Sequence, residues 1–150
     1  MSEPSSTPLL EVEGLRKHYA VRNPAFWRAP SLVYAVDGIS FSLGRGETLG
    51  VVGESGCGKS TAGKSIVRLI EPTAGTVRLA GTDLATLAPG ELRKARRDIQ
   101  FIFQDPYSSL NPRMTVEAIV SEPLLNFGSQ RGAALRDRVA GLLGKVGLRR

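Results

Sequence analysis

Thr48-Leu49-Gly50-Val51-Val52-Gly53-Glu54-Ser55-Gly56-Cys57-Gly58-Lys59-Ser60-Thr61 decides the reading of this 150-residue chain, because the local pattern changes twice within it. Residues 48–52 are a short apolar run of the kind that fills a strand buried on both faces. Residues 53–60 match G-x-x-x-x-G-K-[ST]. Ala62, Gly63, Ile66, Val67 and Ile70 then fall at helical spacing until Glu71-Pro72 stops the helix. Strand, glycine-rich loop and helix follow in that order, which is the context that gives the motif its meaning.

The chemistry accounts for each residue type. Glycines at 53, 56 and 58 let backbone N–H groups turn inward and approach phosphate oxygens with no side chain in the way. The positive end of the following helix adds its dipole, and Lys59 supplies a full charge for the β- and γ-phosphates. Ser60 is placed to ligate Mg²⁺, and Thr61 can donate to the α-phosphate. Cys57 occupies an unconstrained position and is expected to be a small bystander.

Working outward, Met1 to Pro8 has the Ser/Pro composition of a disordered tail, and order is expected from Leu9. Leu9, Leu10 and Val12 predict a short strand. Pro24 and Pro30 make the stretch after Tyr19 an inserted loop. Tyr34, Val36, Ile39, Phe41 and Leu43 predict a half-buried antiparallel strand ending at a turn at Gly44-Arg45-Gly46. Downstream, Thr76–Leu79 reads as a strand, Glu91–Arg97 as a short charged helix with a solvated face, and Ile99–Phe103 as a second buried strand. Val116–Ile119 and Leu135–Val146 read as helical.

Composition removes several function classes. At 41% hydrophobic and 23% charged the chain is globular, and no apolar run approaches the roughly 18 residues of a membrane-spanning helix. A single cysteine, Cys57, permits neither an internal disulfide nor a cysteine-rich zinc site. The net charge of +6 is local: residues 1–130 carry 14 Lys or Arg against 13 Asp or Glu, whereas residues 131–150 carry six against Asp137 alone. A basic helix without interleaved aromatics does not make a nucleic-acid groove, and no nucleic-acid partner is expected.

Two further segments carry a resemblance. Gly46 through Thr61 resembles the Walker A region of ATP-binding-cassette ATPases, and Ile102-Phe103-Gln104-Asp105-Pro106 resembles their Q-loop. Tyr107-Ser108-Ser109-Leu110-Asn111-Pro112-Arg113-Met114-Thr115-Val116 and Ala35-Val36-Asp37-Gly38-Ile39-Ser40-Phe41 are similar to the ATPase subunits of oligopeptide, dipeptide and nickel importers. The resemblance implies an α/β fold, with a P-loop NTPase core, an antiparallel β subdomain and the start of an α-helical subdomain. Residues 9–150 would be the N-terminal part of one nucleotide-binding domain.

By the same resemblance, ATP and Mg²⁺ are the cofactors. Gly53, Glu54, Ser55, Gly56, Cys57, Gly58, Lys59, Ser60 and Thr61 bind the nucleotide, Tyr19 stacks on adenine, and Ser60 and Gln104 meet the metal. Lys59 and Gln104 are the implied catalytic residues. The implied partners are transmembrane permease subunits and a second ATPase subunit, at the cytoplasmic face of the membrane. His18, beside Tyr19, is expected at the surface. The Asp-Glu strand end, signature motif and switch histidine of the family do not occur in these 150 residues, so hydrolysis is not expected from them alone. A non-transport ATP-binding-cassette protein, regulatory or nucleic-acid-associated, and an inert fragment are the other readings of the same residues.

Overall fold

A computed structural model describes residues 7–21, 31–128 and 131–148, and the chain divides into two units, Met1–Phe101 and Ile102–Arg150. Most of the predicted tail, the proline-bounded loop and the final two arginines lie outside the described residues.

The first unit is built on four antiparallel strands in the order β2-β1-β3-β4. β1 (Leu10–Val21) is longer than its apolar start predicts, and β2 (Ser31–Leu43), β3 (Ala74–Leu79) and β4 (Thr82–Asp83) complete the sheet. Register sets Val12 opposite both Phe41 and Val77. This puts the apolar face of three strands on one core of Val12, Leu15, Val77 and Leu84, with Ile39, Phe41, Ile66 and Ile99 packed around it. A bulge interrupts β1 between Val12 and Leu15, where Gly14 has φ +56° and donates its N–H to Ser40 Oγ at 2.8 Å. On the outer face Arg78 bridges Glu11 and Glu13 at 3.0 Å each, and these bonds, Glu11's first, raise its pKa further above the ordinary arginine value.

Helix α1 (Lys59–Ile66) follows the glycine loop, and α2 (Pro89–Ala95) follows β4. Beyond the end of α1, Arg68 takes φ +53°, a conformation usually left to glycine. Its guanidinium repays the strain: Nη1 donates to the carbonyls of Leu84 and Leu87 at 2.8 Å, and Nε pairs with Glu71. Arg96 departs from the solvated face expected for its charge run, since Nη2 donates to the Arg68 carbonyl at 2.8 Å and Nε is buried. The two arginines tie the chain leaving α1 to the segment between β4 and α2 and to the end of α2.

Two predicted strands are absent. Residues 48–52 form no ladder, and Val51 and Val52 are 62% and 92% exposed. Residues 99–103 form none either, although Ile99 packs on the core and the ring of Phe101 lies 3.0 Å from where a Cβ on Gly63 would stand. Ile102 is 87% exposed. The reason is physical: an apolar run becomes a central strand only with neighbours on both edges, and no segment among the described residues pairs with either run.

The second unit contains a 3₁₀ turn at Tyr107–Ser109 and the helices α3 (Val116–Phe127) and α4 (Gly132–Lys145), which pack on each other. Thr115 caps α3 by accepting from the Ala118 N–H at 3.2 Å, and Leu135 and Val139, four residues apart, form the buried stripe of α4. α3 runs well past the predicted Ile119. Among the described residues no helix is long and apolar enough to cross a membrane.

Candidate nucleotide-binding site

The loop before α1 is shaped by glycine, at Gly56 and Gly58 above all, where another residue would be strained. Gly56 and Gly58 have φ +83° and +96°, and a Cβ on Gly58 would collide with the Ala35 carbonyl of β2. Gly58 is the N-cap of α1, its carbonyl accepting from the Ala62 N–H at 2.8 Å. No side chain caps this end and its first turn holds no acidic residue. The N–H groups there, with the helix dipole behind them, suit an anion.

Lys59 brings its charge to the same place. Its Nζ donates to the carbonyls of Gly53 and Glu54 at 2.7 and 2.6 Å and lies 3.5 Å from Cys57 Sγ, so the ammonium sits inside the bend of the loop. An uncapped helix end, left-handed glycines and an enclosed cation are what a phosphate group requires. Ser60 is exposed in the first turn, Thr61 beside it is half-buried, and Glu54, Ser55 and Cys57 are exposed. Cys57 does more than stand by, because its Sγ fills the space Gly53 leaves open, 2.7 Å from where a Cβ there would stand. Among the described residues no cluster of three or more His, Cys, Asp or Glu could hold a metal. Within the loop, Ser60 would offer a hard cation a hydroxyl oxygen, with phosphate supplying further oxygens.

Tyr19 lies on β1 opposite Val33 of β2, two residues before the Ala35 that meets Gly58, or about 7 Å along the strand. The ring is at the surface rather than in the core, with Lys17 Nζ 4.9 Å from its centroid. His18 departs from its expected surface position: its side chain is 16% exposed, Nε2 meets Asp37 Oδ1 at 3.2 Å, and its ring stands edge-on to Tyr34 at 4.4 Å.

Gln104 belongs to the second unit and is exposed on a bend. The next residue fixes that bend: Asp105 Oδ1 accepts from the N–H groups of Tyr107 and Ser108 at 3.2 and 3.3 Å, and its carbonyl accepts from Ser108 Oγ at 3.0 Å. Sequence reasoning singled out the loop, Tyr19 and Gln104 and passed over Lys17, which meets the Tyr19 ring. Its spacing of two from an aromatic on a strand, which puts both on one face, was the available signal.

Comparison with known proteins bears on the family and the fold. The ABC transporter family model matches residues 36–150. The chain is 44% identical over 149 residues to the oligopeptide transport ATP-binding protein AppF of Bacillus subtilis, covering 99% of this chain and 45% of that one. To OppF of Salmonella typhimurium, also an oligopeptide transport ATP-binding protein, it is 47% identical over 143 residues, covering 93% and 43%. The chain thus spans less than half the length of these relatives. Among solved structures, the dimeric post-hydrolysis state of the ATP-binding cassette MJ0796, bound to ADP and Pi, superposes with a TM-score of 0.76 at 30% identity, covering 93% of this chain and 57% of that one. The fold is therefore that of an α/β P-loop ATPase cassette, and with the family model matching most of its length the chain belongs to the ABC transporter family.

Proposed function

We propose that this chain is the nucleotide-binding part of an importer ATPase for peptides or similar small solutes, and that residues 53–61 hold Mg-ATP. The observation that carries it is the position of Lys59, whose ammonium lies within the loop at the uncapped start of α1. The charge belongs to the loop that leads into the first-turn N–H groups, so both would act on one phosphate group. Ser60 would supply a hydroxyl to Mg²⁺, Tyr19 a face for the base, and Gln104 an amide for the metal and the attacking water. Bound Mg-ATP supplies the phosphoryl group, with its charge shared between the metal and the loop. The partners would be permease subunits in the membrane and a second ATPase subunit, at the cytoplasmic face.

A titration of ATP against the chain and its Lys59→Ala variant tests this reading. Removing the only full positive charge in the loop should weaken binding by about tenfold or more, equivalent to about 1.4 kcal/mol. Equal affinity in a folded variant would remove the phosphate-loop assignment.

A further inference from the structure

Taking Tyr19 as the platform for the base, as above, we propose that Lys17 is a positioning residue that fixes the ring of Tyr19 and determines which of its faces a purine can use. Lys17 Nζ lies over the ring at 4.9 Å and simultaneously donates to the Glu71 carbonyl at 2.8 Å. An ammonium held by both a carbonyl and a π face has one place to be, and it covers one side of the ring. A stacking base must take the other side.

The anchor of this arrangement is the segment leaving α1. Thr73 donates its N–H to the Arg16 carbonyl at 2.8 Å, and its Oγ1 accepts from the His18 N–H at 3.0 Å. With the bond from Lys17 to Glu71, three successive residues of β1 are tied to residues 71–73. One helix therefore carries the phosphate loop at its start, and the chain beyond its end holds the strand of Tyr19. The neighbouring His18 ring is engaged with Tyr34 and Asp37, and among the described residues Lys17 is the cation that meets the Tyr19 ring. A ring ordered before the ligand arrives loses less freedom on binding, and this gain exists only for ligands that carry a base.

The test measures ATP and inorganic triphosphate affinities on the full chain and on Lys17→Met, Lys17→Arg and Tyr19→Ala. Lys17→Met should weaken ATP by about two- to tenfold while leaving triphosphate within about twofold, the range expected for one side chain left to be ordered. Lys17→Arg, which can both stack on the ring and donate to the carbonyl, should restore ATP affinity. Should Lys17→Met fail to fold, Lys17→Gln keeps a donor for Glu71 and carries the same comparison. Equal losses for both ligands, or unchanged ATP affinity while Tyr19→Ala weakens ATP selectively, would overturn the role of Lys17. If Tyr19→Ala shows no selective loss for ATP, the platform itself is wrong.

Discussion

The carbonyl of Ala35 occupies the space that a Cβ on Gly58 would need, so β2 and the phosphate loop are in backbone contact. Gly58→Ala must move one of them and also force an L-residue into φ +96°. We expect a loss of about 1–3 kcal/mol in urea unfolding and a drop in ATP affinity of at least about tenfold. A variant that keeps both would mean that the loop tolerates displacement from β2.

Arg68 combines a left-handed backbone with three side-chain attachments, and the two contributions can be separated. Arg68→Ala keeps the strain and loses the bonds, so it should cost about 2–4 kcal/mol. Arg68→Gly loses the same bonds but relieves φ +53°, and it should be about 1 kcal/mol more stable than the alanine variant. Equilibrium denaturation of the pair gives the difference directly.

Asp105 is the brace behind the bend that presents Gln104. Asp105→Ala removes the acceptor for two amides and should raise hydrogen exchange at Tyr107 and Ser108 by about tenfold, one typical side-chain cap being worth about 1 kcal/mol or more. Exchange in α4, held by Leu135 and Val139, should not change.

These 150 residues should bind Mg-ATP without turning it over. Lys59, Ser60 and Gln104 would supply part of the charge stabilisation that phosphoryl transfer to water needs, and the Asp-Glu pair expected at a strand end to orient the water does not occur in these 150 residues. Steady-state phosphate release should equal that of Lys59→Ala. Release above that control, co-purifying with the protein, would mean that further catalytic groups are present.

Local signals were legible in the sequence and long-range ones were not. Glycine and lysine spacing reports a conformation and a charge that the segment carries wherever it sits, which is why the loop and α1 are where the motif puts them. The alternation of Ile39, Phe41 and Leu43 likewise describes β2 with no reference to its partners. By contrast Leu49–Val52 and Ile99–Phe103 carry strand composition, but a strand exists only through its neighbours, and composition does not say whether they are supplied. The bond from Lys17 to Glu71 spans 54 positions, and Arg96 looks like any other member of its charge run until its carbonyl partner on Arg68 is seen.

The bare stretch at Val51 and Val52 has a practical side. β-Branched side chains facing water beside backbone groups without ladder partners make an adhesive edge, to which a second molecule can add a strand. Concentrating this chain is therefore expected to promote association through the residues that lead into the phosphate loop, which light scattering against concentration would check. Nucleotide affinities measured on dilute and on concentrated samples should then differ, so colloidal state belongs among the controlled variables of every titration.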